Sequence, residues 1–138
     1  MTDIELISWI NKMQDIQGSN HISSLDKSWK IFHVYDSDKE AMEGFCILFQ
    51  YTRLPYKQDY EKGNVAEIEI FTFPEYRHQG VCKRLVNQAM LYADIKGIDI
   101  VADALDSGYA VLKPMGFIDA LDHRIWRKSQ KIKDGVGN

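Results

Sequence analysis

The chain has 138 residues, 45% of them hydrophobic and 27% charged, with a formal net charge of −3. That is one domain's length with apolar material for one core, and charges of both signs without long blocks speak against a nucleic-acid binder and against a disordered acidic segment. No apolar run approaches the roughly 18 residues of a membrane span. The start MTDIELISWI lacks the basic region and small-residue cleavage site of a signal peptide, so a cytoplasmic protein is expected.

Residues 3 to 17, DIELISWINKMQDIQ, place Leu6, Trp9, Ile10, Met13 and Ile16 three and four apart, with Gly18 as a C-cap, which predicts an amphipathic helix. SWKIFHVYDSDKEAMEGFCILFQYTRL reads as two strand-like runs about the polar centre DSDKEA, a hairpin. PYKQDYEKGN, punctuated by Pro55 and Gly63, is expected to be an exposed loop. From Val65 to Phe73 a third strand sets Ile68, Ile70 and Thr72 on one face and Glu67, Glu69, Phe71 and Phe73 on the other. Apolar groups on both faces mark it as central.

From Val81 to Ala93 the period becomes helical: Val81, Cys82, Leu85, Val86, Ala89, Tyr92 and Ala93 share a stripe, and Lys83, Arg84, Asn87 and Asp94 lie outside it. Gly97 ends this helix. IDIVADA is a further strand, SGYAVLKPM a short helix closed by Gly116, and FIDALDHRIWRKS two strands about LDH, with His123 in the turn. The order α-β-β-β-α-β-α-β-β, without internal repeat, predicts a mixed α/β fold in one domain over residues 1–138, with 129–138 as a frayed tail. Cys46 and Cys82 are the only cysteines and read as reduced core residues. His21, His33, His78 and His123 fall at irregular spacings with no ligand pair, so no metal is expected.

The segment with chemical content is FTFPEYRHQGVCKRLV, a strand running through a short turn into a helix. A helix start leaves unbonded N–H groups and about half a positive charge, which suits an anion. Gly80 permits close approach to the backbone, and Arg77 offers a bidentate fork to a phosphate oxygen. The Gly-Lys-Ser/Thr of a P-loop and any Gly-x-Gly-x-x-Gly are missing, so nucleotide triphosphate and dinucleotide readings fall away.

IFTFPEYRHQGVCKRLV resembles the motif of the GNAT (GCN5-related N-acetyltransferase) acyltransferase superfamily, in which a strand passes through a Pro-Glu-like turn into Arg/Gln-x-x-Gly-x-Gly/Ala and a long helix. SGYAVLKPMGF resembles the family's second signature, a short helix ending in Gly-Phe, at the usual separation. With the element order, the resemblance covers most of residues 25 to 128. It implies a central mixed, mostly antiparallel sheet flanked by helices, and acetyl-CoA as co-substrate without a metal. It also places the diphosphate on backbone N–H groups of Arg77, His78, Gln79, Gly80, Val81, Cys82 and Lys83, and pairs the pantetheine arm with the backbone of Phe71 and Phe73. Cys82 departs from the family's glycine or alanine; from the helical stripe it reads as a small core residue.

The implied activity is N-acetylation of a primary amine, on a small molecule or a peptide, by direct attack in a ternary complex. An amine of pKa about 10.4 is protonated at pH 7 by roughly 4 to 5 kcal/mol, so a carboxylate must take its proton. Glu67 is the first choice, by resemblance; Glu69 shares its face, and both also read as a solvated strand end. A strand N–H near Phe73 would hold the oxyanion. Where many members carry a tyrosine acid this chain has Leu112; Tyr109, one turn earlier, is the substitute or a packing residue. The resemblance puts the acceptor pocket before Trp29 and in YTRLPYKQDYEKGN, with Tyr51, Tyr56 and Tyr60 as an amphipathic wall. The alternative is a non-catalytic acyl-CoA-binding or protein-interaction module; the basic HRIWRKSQKIK gives a weaker RNA-contacting reading. No convincing strand is found ahead of the first helix: either it is missing, which leaves an edge for homodimer pairing, or Thr2 to Leu6 is that strand rather than helix.

Overall fold

A computed structural model describes residues 1–50, 64–103, 106–120 and 124–130. The loop with Pro55, Gly63, Tyr51, Tyr56 and Tyr60, the LDH turn with His123, and the tail from residue 131 lie outside the described residues. The elements are α1 (Asp3–Gln17), β1 (Lys30–Asp36), β2 (Ala41–Gln50), β3 (Asn64–Thr72), α2 (Val81–Lys96), β4 (Ile98–Asp103), α3 (Asp106–Leu112), β5 (Ile118–Asp119) and β6 (Arg124–Arg127). Their order is the one the periodicities predict.

Helix α1 starts where the Thr2 hydroxyl accepts from the Glu5 amide at 3.2 Å, and stops at Gly18 in the left-handed region at φ 71°. Six strands form one sheet in the order β1-β2-β3-β4-β6-β5. Every neighbouring pair is antiparallel except β3 and β4. Among the described residues no strand precedes α1, and β1 is the outer strand.

The sheet is covered on both faces. Against one lies α2, whose Val81, Leu85, Val86, Ala89 and Ala93 are buried on Cys46, Leu48, Ala66, Ile68 and Ile100. Against the other lies α1, through Ile10 and Met13 on Phe45, Ile47, Phe71 and Phe73. Central strand β3 thus supplies both cores from its alternate residues, as its two apolar faces require. Ile16, expected on the α1 stripe, is 52% exposed because it lies at the stripe's margin in the last turn. The chain after β6 is also more ordered than expected: Ser129 and Gln130 donate their amides to Asp99 and Asp94, each at 2.8 Å.

The parallel pairing of β3 with β4 covers only Asn64–Glu67 against Ile98–Val101, while β2 accompanies β3 as far as Thr72. Past Glu67, β3 therefore has a neighbour on one side only among the described residues, and the sheet opens between β3 and β4.

Candidate functional site

The opening ends at the β3–α2 turn. Phe73 donates its amide to Glu43 O at 2.9 Å, a single turn of 3₁₀-helix follows at Pro74–Tyr76, and Gly80 is the N-cap of α2 at φ 79° and ψ 11°. A side chain there would point into open space but would be strained by the left-handed backbone. His78 also holds a positive φ, 63°. The first bond inside α2 runs from Arg84 N to Gly80 O at 3.1 Å, so the amides of Val81, Cys82 and Lys83 precede the helical ladder, and no side chain caps them. Such a terminus accepts an anion.

What fixes this terminus is a glycine inside β2. A Cβ on Gly44 would come within 2.7 Å of Phe71 O and 2.9 Å of Val81 Cγ1. The first residue of α2 therefore rests directly on the sheet. Of the polar side chains in the turn, Arg77 donates Nε to Thr72 O at 3.5 Å and Gln79 donates Nε2 to Glu75 O at 3.1 Å, both from exposed positions, and Lys83 is exposed. Arg84, one residue on, pairs with Glu43 at 3.3 Å. Cys82 is half-buried, and burial raises its thiol's pKa; burial pushes that of Cys46 up to about 12. Neither sulfur is a thiolate at neutral pH, which suits a packing role.

Two of the sequence expectations need correcting at β3. In an antiparallel ladder the N–H and C=O of one residue point to the same side, and alternate residues to opposite sides. Because the Phe73 amide bonds to Glu43, the backbone groups of Phe71 and Glu69 and the Phe73 N–H face β2, while the Phe73 carbonyl accepts from the Tyr76 amide at 2.9 Å. The groups that face the opening belong to Ile68, Ile70 and Thr72. Phe71 and Phe73 cannot be the backbone partners of a strand-like ligand, nor can the Phe73 amide serve an oxyanion; their side chains are buried at 8% and 5% exposure, edge to face at 5.0 Å.

The two glutamates separate in the same way. Glu67 stands in the fully paired part of the sheet, between Phe49 of β2 and Val101 of β4. Glu69 is opposite Ile47 and beyond the last β3–β4 pair, so it stands at the lip of the opening. There it lines a shallow cleft with Met13 and Gln17 of α1, Phe45, Ile47, Ile70 and Phe71. Partial burial, and then the charge of Glu67, raise its carboxyl pKa above the ordinary value.

Tyr109 is placed elsewhere. Its hydroxyl donates to Asp119 Oδ1 at 2.9 Å, Lys113 Nζ holds the other carboxylate oxygen at 3.0 Å, and the tyrosine is 38% exposed. Its proton is committed to Asp119, and the exposed Tyr109–Asp119–Lys113 group sits on α3, the 3₁₀ turn that follows it and β5. Leu112 is buried in the α2 core. Among the described residues no group of three or more His, Cys, Asp or Glu could hold a metal, and no helix is long and apolar enough to cross a membrane.

The sequence matches the acetyltransferase (GNAT) family over residues 6–117, and the chain belongs to that family. Among solved structures it is similar to Arabidopsis thaliana NAA60 in complex with a bisubstrate analogue, at 12% identity and TM-score 0.63, covering 90% of this chain and 94% of that one. It is similar to a GCN5-related N-acetyltransferase from Kribbella flavida, at 14% identity and TM-score 0.58, covering 86% and 76%. It is also similar to the spermidine/spermine N-acetyltransferase SpeG from Vibrio cholerae, at 16% identity and TM-score 0.54, covering 88% and 75%. These likenesses carry the fold. No curated protein matches the sequence significantly.

Proposed function

We propose that this chain, an N-acetyltransferase by family, transfers an acetyl group from acetyl-CoA to a primary amine by direct attack, with Glu69 as the proton acceptor. The observation that carries the reading is the meeting of two backbone surfaces: the edge of β3 that β4 leaves beyond Glu67 and the amides of α2 that no side chain caps. An extended amide-containing arm ending in a diphosphate fits both at once. The free space beyond Gly80 meets the same requirement.

In this reading the amides of Val81, Cys82 and Lys83 hold the diphosphate, with the cations of Arg77 and Lys83 at its rim. Ile68, Ile70 and the Thr72 N–H offer the edge groups that an extended arm pairs with, as in strand addition, and the Thr72 carbonyl is held by Arg77 Nε. Acetyl-CoA, when bound, supplies a thioester carbonyl as the electrophile. An edge N–H of Ile70 or Thr72 takes the place of the Phe73 amide as donor to the developing oxyanion. Glu69, at the lip of the opening, removes the amine's proton, and its raised pKa brings it closer to that task than an ordinary carboxylate. The chain needs no proton donor for a departing thiol, since a pKa near 8.5 leaves only about 2 kcal/mol uphill at pH 7. A cytoplasmic setting, with both cysteines free, is part of the same reading.

Calorimetric titration with acetyl-CoA, followed by turnover of an amine panel, tests it. Binding with CoA release in the presence of an amine is the expected result. Binding without turnover of any amine would instead establish the non-catalytic module, and no binding at millimolar acetyl-CoA would end both readings.

A further inference from the structure

We infer that the acceptor is a primary amine on an uncharged aliphatic arm, and that the cleft beside Glu69 rejects amines bearing a carboxylate on the adjacent carbon. The inference deepens the acetyl-transfer reading above and rests on it. The cleft lies between α1 and the end of β3, where Ile70 and Phe71 adjoin the open edge, so an amine held by Glu69 extends its substituents over this lining. Met13, Phe45, Ile47, Ile70 and Phe71 are apolar, Gln17 is neutral, and among the described residues that line the cleft Glu69 alone is charged.

Methylene groups resting on such a lining leave water favourably. A carboxylate on the carbon next to the amine would enter with no cation to meet it among the described residues that line the cleft. It would also stand within a few ångströms of Glu69, with the charge of Glu67 close enough to act on Glu69 itself. Two like charges at that range repel strongly in a partly desolvated site. Discrimination therefore comes from a built-in repulsion as well as from apolar contact, the combination that makes an acceptor site selective.

The experiment compares two amines with their carboxylated parents, pentylamine with norleucine and isopentylamine with leucine, in the wild type and in Gln17→Arg, which puts a cation into the cleft. Each simple amine should exceed its parent in kcat/KM by about 10-fold or more, and Gln17→Arg should narrow that ratio. The α-carboxylated amines lose a proton more readily, so ionisation biases the comparison against the expected result. Equal or better turnover of norleucine, or a ratio that Gln17→Arg leaves unchanged, overturns the inference while leaving acetyl transfer intact. If none of the four amines is acetylated although acetyl-CoA raises the melting temperature, the transfer reading falls and this inference with it.

Discussion

Glu67 and Glu69 are two residues apart on one face of one strand, and what divides their surroundings is where a different strand stops. In the proposed mechanism Glu69→Gln removes the proton acceptor, so kcat should fall by about 10²–10⁴-fold with acetyl-CoA affinity kept. Glu67→Gln should do far less, and Tyr109→Phe should leave kcat unchanged, since that hydroxyl serves Asp119. Because the Glu69 pKa is raised in the folded protein, the acidic limb of the rate profile should lie above the ordinary carboxylate range and vanish in Glu69→Gln. For stability the sign is opposite: a raised carboxyl contributes below its unfolded value and loses that contribution as pH rises through the folded one. Hence Glu69→Gln should be neutral or stabilising at pH 7. A pH–rate series on the three variants decides; equal losses for both glutamate variants would remove the assignment. This division was not legible in the sequence, where the spacing states only that the two share a face. The backbone parity that excludes Phe71 and Phe73 was hidden for the same reason: it depends on the pairing of Phe73 with Glu43, thirty residues earlier in the chain.

At the scale of elements, the contrast between what was and was not legible has a physical cause. Helices α1 and α2 and the strands announce themselves through local periodicity, and Gly18, Gly97 and Gly116 mark real ends in left-handed conformations. Contacts between elements leave fainter marks, and the one mark overlooked was Gly44, a lone glycine within a strand run. Such a residue often signals close approach of another backbone. Here an added methyl meets Phe71 O at 2.7 Å, Val81 Cγ1 at 2.9 Å and Leu85 Cδ1 at 3.3 Å, and the first of these is main chain and cannot swing aside. Gly44→Ala should cost about 1–3 kcal/mol as overpacking. Relief is easiest if α2 lifts at its amino terminus, so acetyl-CoA affinity should fall along with the melting temperature. A variant that loses stability while binding acetyl-CoA like wild type would show that the terminus does not depend on this contact.

Across the whole molecule, the sheet's far side is closed by carboxylates that the sequence offers no means of pairing. Asp94, in the last turns of α2, receives two bonds from the guanidinium of Arg127 at the end of β6, at 2.8 and 2.9 Å, and a third from Gln130 N at 2.8 Å. Asp99 at the start of β4 takes Ser129 N, so three elements and the residues just after β6 are tied together, and Ser129 and Gln130, which read as frayed, are held. The Asp94 and Arg127 side chains are only 14% and 11% exposed, so removing one partner leaves the other charge poorly solvated. Asp94→Ala should therefore cost about 3 kcal/mol, or about 10 °C in melting temperature. Burial alone would raise the Asp94 carboxyl, but the bonds from Arg127 and Gln130 and the guanidinium charge outweigh it and hold the pKa below the ordinary value. A depressed carboxyl contributes stability above its unfolded value, and the contribution is lost as pH falls through the folded one. Wild type should thus lose stability on acidification below about pH 4, and Asp94→Ala should show a flatter profile there. Melting curves between neutral and strongly acidic pH measure both slopes. Parallel profiles would mean that the acid sensitivity resides elsewhere, and a melting temperature unchanged at pH 7 would mean that this clasp does not hold the fold together.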